Sequence, residues 1–307
     1  MEMLEWLSQQ AEFINSRVIP WVLRFVMFGL GLSLTLADFK RVIVFPKAAA
    51  IGLVAQLVGL PAAAFALSWI FNAPPAIAVG LVILAACPSG VTANAYSFAA
   101  RADVPLCVTL SAITSVITVF SIPFLIDIAL RVFFNESQEI VMSAPEMLRN
   151  LMLLTVVPLA IGMMVRALFT AFAERAVEPV RQVVLYFTIG VLILGALSSY
   201  RDIIEHGATA GALVITMNVL TMALGYGAAK LFKLPLPQVI TITFEVGVQN
   251  LSLAFAITFA MLQRPDLAVA ALIYAVVMPA TALAFMSYAR RLTANGAPQP
   301  ARPRPAQ

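Results

Sequence analysis

Apolar residues along this chain gather in long unbroken runs, and polar residues collect in the short segments between them. About nine runs approach the ~20 residues that span a bilayer as a helix. They lie near 18–36, 47–71, 76–100, 104–130, 147–168, 182–199, 208–231, 236–262 and 267–289. Two of them are interrupted in the middle by several polar or helix-breaking residues together. The run at 236–262 holds Glu245, Gln249 and Asn250 around Gly247. An ionised carboxylate in hydrocarbon is costly unless something pairs with it. Unwound backbone at that depth is tolerated only where it lines a cavity or is buried in protein. The segment therefore predicts a broken helix whose break holds polar groups for a purpose; helix–helix glue is the weaker reading. The run at 76–100 is interrupted by Cys87-Pro88-Ser89-Gly90-Val91-Thr92-Ala93-Asn94. Proline and glycine two apart break a helix, and Thr92 and Asn94 offer oxygens beside the break. These are the third and eighth runs, so they cross in opposite directions. Broken spans at matching places in two oppositely oriented halves point to a transporter site. Each half is then five helices, with the first half lacking its first.

Composition agrees with an all-α integral membrane fold. The chain has 307 residues, 62% hydrophobic and 11% charged, with a mean hydropathy of +0.96, against about 25% charged in soluble domains. The net charge of +4 would suggest acidic partners in a soluble protein. Here Lys40, Arg41, Lys47, Arg101, Arg166, Arg175, Arg181, Lys230, Lys233, Arg290 and Arg291 follow alternate runs. The other loops, Asn72 to Pro75, Asn135 to Glu139, Asp202 to His206 and Arg264 to Asp266, are poorer in basic residues. The positive-inside bias puts the N-terminus outside and the C-terminus in the cytoplasm, and the short loops suit a bacterial inner (plasma) membrane. Residues 1–17 read as an amphipathic surface segment, residues 18–292 as the transporter domain and residues 293–307 as a disordered tail. Met1-Glu2-Met3-Leu4-Glu5 is acidic where a signal peptide is basic, so no cleavable signal is expected. Cys87 and Cys107 lie inside apolar runs, which disfavours a disulfide framework. No basic stripe with interleaved aromatics suggests nucleic acid.

The candidate chemistry is that of ions. Hard cations take oxygen ligands. The C-terminal end of a half-helix offers carbonyls of partial negative charge, and the N-terminal end offers N–H groups that favour an anion. Glu245 adds a full charge able to bridge two cations. A crossing of two broken helices can thus hold cations beside an anionic substrate. Gln56, alone at mid-depth in its span, reads by itself as helix glue. Cys107, Ser111, Thr114 and Thr118 share one helix face, as a packing stripe or an ion-facing one. An intramembrane enzyme fits badly: the one histidine, His206, falls in a polar loop, and no Ser–His or HExxH arrangement exists. A channel or a non-transporting receptor is the alternative of another class, without the charged rings or soluble segments expected of either.

The segments Cys-Pro-Ser-Gly-Val-Thr-Ala-Asn at 87–94 and Glu-Val-Gly-Val-Gln-Asn at 245–250 resemble the fourth- and ninth-helix motifs of the bile acid:sodium symporter family. The likeness runs from about Pro20 to Arg291. It implies an inverted repeat of a core domain (76–130 and 208–289), where two broken helices cross, and a panel domain (18–71 and 147–199) that lacks the first helix. It implies sodium-coupled symport of an organic anion, bile acid-like or a small carboxylate such as pantoate. One sodium site maps to Asn94, Ser111 and Glu245. The family has serine at the positions of Ala93 and Cys107, so two hydroxyls are missing there, and cysteine is a soft ligand that hard cations avoid. The second site maps to Gln56, Glu245 and Gln249 with the backbone oxygens of Val246 and Val248, which raises Gln56 from glue to ligand. Substrate is expected near Val91, Thr92 and Asn250. The region around Val277-Met278-Pro279 is apolar where the family is often polar, which implies a different substrate preference. Carriers driven by one sodium, or by a proton on Glu245, are the alternatives within the fold. Sodium is expected as the coupling ion, with no further cofactor and no obligate protein partner.

Overall fold

The computed structural model describes residues 18–134, 144–198 and 200–296. The expected surface segment at 1–17, the loop from Asn135 and the end of the tail lie outside the described residues. What is described is helical, and the one extended pairing is an isolated bridge between Ser89 and Gln249. The helices are α1 (Ile19–Ser33), α2 (Leu36–Val44), α3 (Pro46–Ile70), α4 (Pro75–Ala86), α5 (Val91–Ala99), α6 (Val104–Phe134), α7 (Pro145–Leu168), α8 (Thr170–Ser198), α9 (Tyr200–Leu231), α10 (Leu236–Gly247), α11 (Leu251–Met261) and α12 (Val269–Gly296).

Among the described residues, five helices are long and apolar enough to cross a membrane, or six if α1 and α2, bent by 75° at Leu34–Thr35, count as one span. Apolar side chains such as Ile43, Phe124, Ile161 and Val276 face outward, as lipid in place of water requires.

Helices exceed the apolar runs at several ends. Leu36–Val44 is helical where a basic loop follows the first run in the sequence reading. Thr170–Ser198 takes in Arg175 and Arg181, and Tyr200–Leu231 takes in Asp202 to His206. Hydropathy marks the part of a helix that sits in hydrocarbon; backbone hydrogen bonding carries the helix on through polar residues. The last helix likewise runs to Gly296, past the boundary expected at Thr293, before Pro298.

Close packing rests on small residues. A Cβ on Gly31 of α1 would run into the Leu159 carbonyl of α7, and one on Gly162 of α7 into the Phe28 carbonyl of α1. The two backbones meet where both helices present glycine, the membrane rule for close approach. Elsewhere α4 is sandwiched by α3 and α6, while α10 lies against α9. From Ile77 to Ala86 every residue of α4 is buried, as is Val239 to Gly247 of α10.

Both expected interruptions are present, and they meet. Gly90 N–H donates to the Val248 carbonyl at 3.2 Å, and Asn250 N–H donates to the Pro88 carbonyl at 3.0 Å. Reciprocal bonds about Ser89 and Gln249 satisfy buried backbone that would otherwise be orphaned. Gly90 suits the crossing, because a Cβ there would sit 3.2 Å from the Gln249 carbonyl oxygen. The breaks are narrower than the sequence reading drew them. Glu245 and Val246 lie in the last turn of α10, and Thr92 and Asn94 in the first turns of α5; only Cys87–Gly90 and Val248–Asn250 are unwound.

Candidate functional site

Glu245 is the centre of the crossing and fully buried. Ser89 of the first break donates to its Oε1 at 2.5 Å. Ser111 of α6 lies 3.1 Å from each carboxylate oxygen and 2.8 Å from Ser89 Oγ. The Cys107 thiol, one turn earlier on α6, donates to Oε2 at 3.3 Å and accepts from Ser97 at 3.4 Å. Two hydroxyls and a thiol thus ring the carboxylate. Among the described residues no lysine or arginine pairs with it. A buried carboxylate without a countercharge is unfavourable, so this pocket calls for a cation from outside the chain or for a proton.

The α6 stripe divides here. Cys107 and Ser111 face Glu245, whereas Thr114 donates to the Leu110 carbonyl at 2.9 Å and Thr118 to the Thr114 carbonyl at 2.7 Å. The two threonines are satisfied by their own helix and belong to packing.

A second group lies along the same break. Gln56 sits in a π-helical turn, Ala55–Gly59, within α3; such turns are frequent at functional sites. Its amide nitrogen donates to Gln249 Oε1 at 3.0 Å and to the Cys87 carbonyl at 3.2 Å. Gln249 in turn donates to the Val246 carbonyl at 2.8 Å. Gln56 Oε1 is buried with no hydrogen-bond partner, and so is Asn94 Oδ1 on α5. Buried polar atoms are rarely left unpaired, and here both are acceptors. Uncompensated amide oxygens, like carboxylate oxygens, are the kind of ligand that hard cations take. The Val246 and Val248 carbonyls already accept Gln249 and Gly90, and each keeps a second lone pair.

Of the residues singled out for substrate, Thr92 is exposed and Asn250 is buried. Asn250 caps α11, its side chain accepting from Leu253 N–H at 3.1 Å. Val91 opens α5. No side chain caps that helix at Gly90, whereas Asn250 caps α11, so of the two half-helices that start at the crossing α5 has the uncapped N-terminal end.

Two features escaped the sequence reading. Ser89 was legible as part of a break but not as the partner of Glu245. Asn218 of α9 was not singled out at all. It is fully buried and donates to the Gly247 carbonyl at 3.0 Å and to Tyr274 Oη at 2.8 Å. An isolated amide at mid-span was the available signal, the same one that marked Gln56.

Residues 20–205 match the model of the Sodium Bile acid symporter family. The chain belongs to that family. The match ends before Glu245, so the second break lies beyond it. Relatives agree with the family. The chain is 28% identical over 245 residues to the "Uncharacterized sodium-dependent transporter YocS" of Bacillus subtilis, covering 80% of this chain and 74% of that one. It is 26% identical over 229 residues to the "Probable sodium/metabolite cotransporter BASS1, chloroplastic" of Arabidopsis thaliana, covering 74% and 55% respectively. It is 27% identical over 241 residues to the human "P3 protein", covering 77% and 49%. The chain therefore spans about half the length of the plant and mammalian relatives. As a member of the Sodium Bile acid symporter family it is a membrane transport protein of a sodium-dependent class.

Proposed function

We propose that this protein is a secondary active transporter in which sodium drives uptake of an organic anion, bile acid-like or a small carboxylate such as pantoate. The observation that carries this reading is the fully buried Glu245, without a cation of the chain among the described residues; the unpartnered oxygens of Gln56 and Asn94 are further ligands of the kind sodium takes. Sodium supplies what these groups lack. One ion is held by Gln56, Glu245, Gln249 and the carbonyls of Val246 and Val248. A second, weaker position lies at Asn94, Ser111 and Glu245. The anion binds at the N-terminal end of α5, by Val91 and Thr92, with Asn250 across the crossing.

This reading brings the finer architecture with it. α4 with α5, and α10 with α11, each make one broken span, which gives nine spans in an inverted repeat whose first helix is missing. The broken spans cross in the core, and α1, α3, α7 and α8 belong to the panel. Basic residues at alternate loops support an N-terminus outside and a C-terminus in the cytoplasm of a plasma membrane.

One observation makes the Asn94 position the weaker of the two and carries a single-sodium carrier as the second reading. Ala93 and Cys107 supply no hydroxyl, and Ser111 already lies within hydrogen-bond distance of both Glu245 oxygens and of Ser89. Uptake into proteoliposomes tests the function. With sodium outside, radiolabelled pantoate or taurocholate is expected to accumulate, and potassium or a collapsed gradient to abolish it. Sodium-independent equilibration of these anions would count against symport, and accumulation driven by an acid-outside gradient alone would favour a proton on Glu245.

A further inference from the structure

The two breaks are locally two-fold about the Ser89–Gln249 bridge, with one reciprocal backbone bond on each side. Two residues before the bridge, each half-helix ends on a carbonyl, Cys87 in one strand of the crossing and Gly247 in the other. Each of these carbonyls accepts a side-chain amide from a long neighbouring helix. Gln56 of α3 reaches Cys87 at 3.2 Å, and Asn218 of α9 reaches Gly247 at 3.0 Å.

From that point the two ends differ. Gln56 Oε1 has no partner. Asn218 Oδ1 accepts the Thr281 hydroxyl at 2.5 Å. The Asn218 amide nitrogen also donates to Tyr274 Oη at 2.8 Å, and Tyr274 donates on to the Gly247 carbonyl at 2.8 Å. Asn218 and Tyr274 are buried and Thr281 is partly buried. The amide at one half-helix end thus retains an open acceptor. The other is closed by three protein side chains that spread two donors over a single carbonyl.

We propose that Asn218, Tyr274 and Thr281 are positioning residues for the coupling cation: they neutralise the partial negative charge at the end of α10 with fixed donors and hold the Gly247 carbonyl. The ion's expected ligands Val246 and Val248 are its immediate neighbours in the chain. The inference rests on the sodium reading above. A carbonyl at the end of a half-helix carries partial negative charge, and one left open at Gly247 would draw the ion away from Glu245 or let the break unwind further. Satisfied buried networks fix a single geometry, and this network fixes it where the ion must fit.

The test separates positioning from plain stability. The full chain, purified in detergent, is melted over a sodium titration balanced with potassium, and the sodium concentration giving half of the stabilisation is read. Tyr274→Phe and Thr281→Val each remove one hydroxyl. Thr243→Val removes a buried hydroxyl that bonds only its own α10 backbone, to the Val239 carbonyl at 2.8 Å, and is the control. The loss of one buried hydrogen bond is expected to raise the sodium midpoint roughly fivefold in Tyr274→Phe and Thr281→Val. Thr243→Val should leave it unchanged, and Thr281→Ser, which keeps the hydroxyl, should restore it. Lower melting temperatures at an unchanged midpoint would overturn the proposal, leaving the network a structural one. Thr281→Val with its serine rescue decides alone if Tyr274→Phe does not fold. A wild-type protein that ignores sodium would remove the ion reading and this inference together, an outcome distinct from unchanged midpoints in a sodium-responsive protein.

Discussion

The two interruptions are built by different means and carry different chemistry. The first, Cys87–Gly90, follows from Pro88, which has no N–H to give, and from Gly90, which lets the backbones touch. It contributes Ser89, and it opens α5 without a side-chain cap. The second, Val248–Asn250, contains neither proline nor glycine within it; α10 ends on Gly247 and α11 begins under an Asn250 cap. It contributes the amide of Gln249 and the Val248 carbonyl, and the last turn of α10 before it contributes Glu245 and the Val246 carbonyl. One break therefore leaves an uncapped N-terminal helix end, and the other follows directly on the buried carboxylate. In the proposed symport an anion at the first and a cation at the second would each stabilise the other, which is the thermodynamic content of coupling.

This division can be broken at its strongest point first. Glu245→Ala removes the charge and is expected to abolish sodium-driven uptake in proteoliposomes; the loss of charge-assisted contacts worth about 3 kcal/mol corresponds to roughly a hundredfold in affinity. Gln56→Leu keeps the bulk but removes the unpartnered oxygen, and should raise the sodium concentration for half-maximal uptake about tenfold. Cys107→Ser acts in the opposite direction. It puts a hard hydroxyl oxygen where a thiol now meets Glu245, and the same titration should shift to lower sodium by a few-fold at most. Asn250→Ala, besides removing a side chain placed across the crossing from the anion, has an effect on stability. It uncaps α11 at a cost of about 1 kcal/mol, read as a lower melting temperature in sodium and potassium alike.

Much of this division is legible in the sequence because polar residues inside apolar runs stand out. Glu245, Gln249 and Pro88 mark the breaks without any structure. The contacts across the crossing are not legible in the same way. Ser89 and Glu245 are 156 positions apart, and no local pattern pairs them; the family resemblance, rather than spacing, raised Gln56 to a ligand. Asn218 is a lone amide at mid-span like Gln56, but the family resemblance assigns it no role and nothing else in the sequence marks it. The Thr114 and Thr118 hydroxyls share a face with Ser111 and yet turn to their own backbone, a choice that helical periodicity does not encode. Helix ends were misplaced at α2, α8 and α9, where helices continue through charged residues that hydropathy reads as loops.

The sodium-coupled reading depends above all on Glu245 holding a sodium ion. Melting the purified protein in sodium and in potassium, with Glu245→Gln alongside, tests it directly. A ligand at a hundredfold excess over its Kd stabilises the folded state by about 2.7 kcal/mol. Wild-type protein should therefore melt higher in sodium than in potassium, and Glu245→Gln should melt at one temperature in both. Equal melting of the wild type in the two salts, or a sodium response that survives in Glu245→Gln, would contradict the account.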